Sequence, residues 1–268
     1  VNSRTLRANY YQQFDADYDL DVPGEGYGGW KKEELEFPLD RMALVVMHAW
    51  DTGTFEEYPG WYRSIEYIPR AEEIGQSVFP TLLDSVRRSS VPLFHVVGGG
   101  DYYKDREGYK SAVNLAGPEP EKPPVIESDD ITANLRKFKA EHSSVGAHNR
   151  EDVNRGFKVV DFMPNAMPVD GEGIAENAHQ LFALCRENNI NHLVYAGFAI
   201  NWCLLLSPGG MADMSKRGVM CSAIRQAVTA VENKETARDE TCKETALWRV
   251  ALAFGFVFDL DDFLAGIA

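Results

Sequence analysis

Three stretches of the chain hold residue types capable of nucleophilic catalysis. His48-Ala49-Trp50-Asp51 follows one apolar run, Asp161 ends another, and Gly197-Phe198-Ala199-Ile200-Asn201-Trp202-Cys203 follows a third. Together they offer an imidazole, carboxylates and a thiol. Cys203 comes after a predicted strand and a glycine, so it falls in the first turn of a helix. Unpaired amides and the helix dipole there stabilise a thiolate or an oxyanion. Histidine titrates near neutral pH, which suits general-base work. In a Cys203–His48–Asp161 constellation, His48 would take the thiol proton and Asp161 would orient the imidazole. Backbone amides at Trp202 and Cys203 would hold the oxyanion. Each residue also has a plainer reading. Free cysteines are among the most buried residue types, strand-end histidines are often core residues, and aspartates commonly form turns.

The segment from Asp51 to Arg63 is rich in aromatic residues and follows the first predicted strand, so it should lie over the cleft. Trp50, Asp51, Trp61, Tyr62 and Arg63 could wall a pocket for a small planar or anionic substrate; the bland alternative is a packed surface loop. His48, Asp51 and His95 form a weaker set for a metal ion, since histidines on separate strands are more often structural. No metal or other cofactor is expected. Gly98-Gly99-Gly100-Asp101 lacks the spacing of a dinucleotide-binding loop.

The elements that must position these groups read as alternating strands and helices. Strands are predicted at 42–47, 91–97, 157–160, 192–197, 219–224 and 256–258. Helices are predicted at 67–88, 172–187, 202–216 and 235–254, with a closing turn at 260–267 and a possible helix around 129–141. Pro80 is expected to kink or split the first helix. Continuous apolar runs such as Met42–Met47 suit strands buried on both faces, and strand–helix alternation implies right-handed crossovers and a mostly parallel sheet. The fold class is thus α/β, Rossmann-like and doubly wound, with helices on both faces of a six-stranded sheet. Ligand sites in such sheets lie beyond the carboxyl ends of the strands. Residues 1–40 read as an aromatic arm wrapping the domain or a neighbouring subunit. The domain is 41–268, with a polar, proline-bearing insertion at about 101–155.

The chain has 268 residues, enough to bury a core without disulfides, and its 44% hydrophobic content is that of a globular domain. A formal charge of −14 disfavours binding to phosphate backbones. No apolar run is long enough to span a bilayer. The expected partners are therefore a small-molecule substrate and a second copy of the chain, neither nucleic acid nor membrane. The four cysteines, Cys185, Cys203, Cys221 and Cys242, form no CxxC pair and read as reduced thiols of a cytoplasmic protein. The opening Val1-Asn2-Ser3-Arg4 has no apolar leader core, and a start at Val leaves a removed leader open.

The stretch Leu193–Cys203 resembles the nucleophile motif of the isochorismatase-like cysteine hydrolases, in which a strand runs through Gly-x-Ala-Thr-Asn-x-Cys into a helix. Ala43–Val46, Met214–Gly218, Arg225–Glu232 and the Gly255–Phe263 tail resemble other parts of that family. The resemblance implies a Rossmann-like fold with a six-stranded parallel sheet, and hydrolysis of small amides or related C–N bonds. It implies a cysteine nucleophile, an Asp base from the first strand, a Lys after the third, and a non-proline cis bond, here Phe198–Ala199, that helps shape the oxyanion hole. It also implies oligomers. Here His48 stands at the Asp position, Asp161 best matches the Lys, and Ile200 replaces the motif Thr. Two readings stay open: a cysteine hydrolase with altered catalytic residues, or a degenerate enzyme that binds a ligand or serves assembly.

Overall fold

The computed structural model describes residues 3–268. Ten strands occur among them: β1 (Ser3–Gln12), β2 (Gly29–Pro38), β3 (Met42–Met47), β4 (Trp50–Asp51), β5 (Leu93–Val96), β6 (Asp161–Phe162), β7 (Gly173–Ala175), β8 (His192–Gly197), β9 (Met220–Val228) and β10 (Val257–Phe258). Eight form one sheet in the order β2-β1-β10-β9-β8-β3-β5-β7, while β4 and β6 pair as a separate antiparallel ribbon. The six strands from β10 to β7 are mutually parallel. The expected six-stranded parallel core is therefore present, enlarged by an antiparallel hairpin.

Side-chain alternation makes this core two-sided. Ala43, Val45 and Met47 of β3 face one apolar layer with helices Ala178–Glu187 and Thr241–Ala253. Met42, Leu44 and Val46 face the other, with helices Ile68–Ser77, Phe79–Arg88 and Leu260–Ile267. All six residues of β3 are buried, as are all six of β8. That burial explains why both read as unbroken apolar runs.

The hairpin corrects the picture of a wrapping arm. β1 and β2 pair over their full lengths, and β1 joins β10 antiparallel at Asn9–Val257. Residues 1–2 of the predicted arm lie outside the described residues. Lys32 on β2 ties the hairpin down, with Nζ 2.5 Å from Asp259 and 2.7 Å from Asp262. Replacing Lys32 by methionine is expected to cost about 1 kcal/mol, since the ion pairs are partly solvent-exposed. Hydrogen exchange should show the loss as faster opening of β1 and β2.

Other boundaries also differ from expectation. The third parallel strand is β7, not 157–160. Phe157 ends the helix Arg150–Phe157, and β7 lies inside the stretch predicted as helix from 172. The 67–88 helix is two helices, with Pro80 in the first turn of the second. The 202–216 helix is likewise two short ones, Cys203–Leu206 and Met211–Ser215, and the 235–254 helix begins only at Thr241. The insertion is more structured than its composition implies. Helix Glu107–Ala116 buries Ala112, whereas helix Asp130–His142, capped by the Asp129 side chain on the Thr132 amide at 2.8 Å, buries nothing.

Candidate active site

The strand order reverses between β3 and β8. From β3 the chain proceeds outward to β5 and β7, and from β8 it proceeds the other way to β9 and β10. A crevice must open where consecutive crossovers diverge. His48 leaves β3 at this point, and Phe198 to Cys203 leave β8 beside it.

His48 has a positive φ of 51°, a conformation rare for a side chain of this size. Such strain concentrates at functional sites. Its amide donates to Val96 O at 2.9 Å and its carbonyl accepts from Trp50 at 3.0 Å, so the turn is held from both sides. The imidazole stacks on the Trp50 indole at 4.6 Å and 14°. Burial holds its pKa down to about 4, against a smaller upward pull from the Val97 carbonyl. The ring is therefore neutral at physiological pH. Nδ1 is buried and has no hydrogen-bond partner.

His48 lines a cavity with Trp50, Trp61, Tyr67, Phe157 and Phe198; Glu72 and Thr52 supply its polar atoms. About 450 Å³ is unfilled by atoms, part of it open to solvent. An outer vestibule shares Trp50, Thr52, Glu72 and Met163 and adds Asp51, Gln76 and Asn165. Trp61 is 2% exposed and stacks on Phe157 at 4.8 Å. Gly156 makes that stack possible, because a Cβ there would stand 2.0 Å from the Trp61 ring.

The Phe198–Ala199 peptide is cis, as the motif implied. Phe198 belongs to the apolar layer beneath the cavity, whereas Cys203 packs against the layer on the opposite face. Cys203 is half-buried and is not part of the cavity wall. Tyr67 links the two: it lines the cavity near Cys203, and burial above all holds its hydroxyl protonated. The amides of Trp202 and Leu204 both donate to Ala199 O, at 3.2 and 3.1 Å. The Trp202 amide is thus engaged within the turn.

The remaining predicted site residues divide. Trp50 and Trp61 are cavity walls, and Asp51 lies in the vestibule. The Tyr62 hydroxyl donates its one proton to Glu72 at 2.6 Å and lies 2.7 Å from Gly53 O, supporting the wall from behind. Arg63 turns away, donating to Asn149 of the insertion at 3.0 Å. Asp161 sits opposite Asp51 in the β4–β6 ribbon, is exposed, and accepts the Phe162 amide at 2.7 Å. No hydrogen bond joins it to His48, and it precedes β7 rather than following it. The carboxylate just after β7 is Glu176, which accepts from the Tyr103 hydroxyl at 2.8 Å. His95 is committed elsewhere, with Nε2 2.8 Å from Glu172.

Tyr67, Glu72 and Phe157 escaped the sequence reading. Tyr67-Ile68-Pro69 carried a signal for the first of them. Proline in the first turn starts a helix at Ile68 and leaves Tyr67 at its mouth.

The chain superposes on the cysteine hydrolase from Pseudomonas syringae pv. phaseolicola 1448A with a TM-score of 0.51 and 14% identity, over 86% of this chain and 94% of that one. At that identity the likeness is one of fold: the chain shares the fold of this cysteine hydrolase. An isochorismatase family protein from Burkholderia thailandensis gives a TM-score of 0.47 at 14% identity, covering 85% and 96%. N-carbamoylsarcosine amidase from Thermoplasma acidophilum gives 0.42 at 15%, covering 82% and 97%. No protein-family model matches the sequence, and no curated protein matches it. No helix among the described residues is long and apolar enough to cross a membrane.

Proposed function

We propose that the protein is a cysteine hydrolase that cleaves a small-molecule amide or related C–N bond through Cys203. The observation carrying this reading is the place of Cys203, which opens a helix directly after β8 at the strand-order switch, beside a cavity containing a neutral buried histidine. In the proposed reaction the thiol proton passes to His48 as sulfur attacks the carbonyl carbon. The tetrahedral oxyanion forms near the Cys203 amide. The C–N bond then breaks, and the departing nitrogen takes the proton back from His48. Water, deprotonated by the same imidazole, hydrolyses the thioester and restores the thiol. The Val97 carbonyl, which accepts from the other ring nitrogen, orients His48 and leaves Nδ1 to take the thiol proton, whereas Asp161, exposed and bonded to the Phe162 amide, makes no hydrogen bond to the ring.

A second reading is a binding protein that keeps the fold without the reaction. It is favoured by the unpartnered Nδ1 of His48 and by the position of Cys203 outside the cavity wall.

Iodoacetamide alkylation of Cys203 against pH separates the two. An ordinary thiol of pKa about 8.5 is about 1% thiolate at pH 6.5. For the hydrolase, the rate at pH 6.5 is expected to exceed that baseline at least about tenfold and to fall back to it in His48→Ala. Asp161→Asn should leave it unchanged, because that carboxylate makes no hydrogen bond to the ring. An ordinary pH profile, indifferent to His48, rejects the catalytic reading in favour of binding.

A further inference from the structure

We propose that the His48 cavity binds a small organic ammonium ion, one carrying at least one N–H and an apolar or aromatic substituent. The cavity is the one invoked for hydrolysis, but the inference goes beyond that reading and does not use the thiol.

Ring faces are the first observation. Trp50, Trp61, Tyr67 and Phe157 line the space, and three of them are fixed by mutual ring contact: Trp61 lies on Phe157 at 4.8 Å and 28°, and Trp50 meets Phe157 edge-on at 5.5 Å. Rings locked in this way present electron-rich faces at no further ordering cost, the arrangement that attracts alkylated ammonium groups.

Charge is the second. No Lys or Arg lines either the cavity or its vestibule, whereas Glu72 lines both and Asp51 lines the vestibule. Glu72 is held by an uncharged donor, the Tyr62 hydroxyl, whose pKa burial and Glu72 push up to about 12. The nearest arginines are committed elsewhere. Arg63 bonds Asn149, Arg155 lies over the Tyr58 ring and bonds Asp152, and Arg70 pairs with Glu66 and Glu240. An anion entering here would meet carboxylates and no counter-charge. A cation meets carboxylates and π faces.

The third is an orphaned acceptor. Nδ1 of His48 is buried without a hydrogen-bond partner, and the Val97 carbonyl accepts from the imidazole; with the ring proton donated there, Nδ1 keeps a lone pair. That buried lone pair lacks a donor, and leaving it unpaired is costly. A ligand N–H satisfies it. A neutral imidazole also adds no positive charge to oppose the ammonium. Of the small planar or anionic substrate considered from sequence, these features point away from the anion and toward a protonated amine.

The test is a calorimetric titration of the full chain with three probes of matched shape: benzylammonium, benzyl alcohol and benzoate. Benzylammonium is expected to bind at least about tenfold more tightly than benzyl alcohol, and benzoate more weakly than either. Glu72→Gln, at a half-buried position where the fold tolerates an amide, should abolish the preference for cation over alcohol. Trp50→Phe should keep the preference but weaken all three. Equal binding of cation and alcohol, preference for benzoate, or no saturable benzylammonium binding below about 10 mM would each overturn the proposal. The titration reads binding rather than turnover. An inert Cys203 alongside a retained cation preference would reject only the hydrolysis.

Discussion

Substituting alanine at Gly197 is expected to abolish stable folding. Gly197 ends β8 with φ 119°, and a Cβ there would lie 2.0 Å from the carbonyl oxygen of Met47 and 2.9 Å from that residue's backbone N and C. Met47 is paired with Gly197 in the β3–β8 ladder, and its oxygen also accepts the Phe198 amide at 3.1 Å. The obstacle is the backbone of Met47, inside a strand pair buried along its full length, so no side chain can turn aside to relieve it. The two strands would have to separate where the turns carrying His48 and Phe198 begin. Costs above about 4 kcal/mol arise from such mechanisms and take up a large part of a domain's total stability. Gly117→Ala is the control. It has φ 69° and ψ −158°, yet a Cβ there meets nothing within 4 Å, so only the backbone penalty remains, about 1–3 kcal/mol in this nearly glycine-only region. Urea denaturation of the two variants should separate close approach from conformational preference. A Gly197→Ala protein with a near-normal midpoint would show that β3 and β8 can spread, contrary to this packing.

The same strand pair explains what was legible in the sequence. β3 and β8 are buried on both faces, so their composition reports their environment directly, and the residues that leave them, His48 and Phe198, could be located by counting. β7 could not. It has three residues, Gly173-Ile174-Ala175, and too little side chain to carry a pattern. Phe157-Lys158-Val159-Val160 looked more like a strand, but Phe157 caps a stack with Trp61 and Val159 is 63% exposed. That error placed Asp161 at a sheet-strand end, when it lies in the short ribbon over the cleft. The hairpin was hidden for a different reason. β2 is edge-like and mostly polar, with Lys and Glu on its outward positions, which protects a sheet edge but erases the apolar signal. In the site, Trp50 and Trp61 were found because aromatic clusters after a strand suggest a pocket. Tyr67, Glu72 and Phe157 come from elements whose apolar periodicity served the core equally well, so only three-dimensional packing singles them out.

Acid should unfold this protein sooner than its ordinary composition suggests. His192 is 3% exposed, with Nε2 2.7 Å from the Ser222 hydroxyl and its ring beside Phe37 at 5.7 Å. Burial lowers its pKa to about 4, as it does that of His48, and burial also lowers His95 despite the facing Glu172. Unfolded histidine protonates near 6.5. Between about pH 6.5 and 4 the unfolded chain therefore binds protons that the folded chain refuses, and stability falls as pH falls across that window. For His192 alone the loss reaches roughly 3 kcal/mol by pH 4. Glu172 acts next. Burial would raise its carboxyl, but hydrogen bonds from His95 and Arg87 outweigh that and hold it at about 2. Its contribution is present above the unfolded value of 4.5 and fades as pH drops from there toward 2. The two ranges follow one another, so little stability remains in which to survive below pH 4. Urea midpoints measured from pH 7.5 to 4 are expected to decline steadily once pH passes below 6.5. His192→Leu should make that decline shallower, because one refused proton is gone. A midpoint unchanged between pH 7 and 4.5 would mean that these imidazoles gain solvent or partners in the fold, and the neutral His48 on which the cavity's cation preference relies would fall with them.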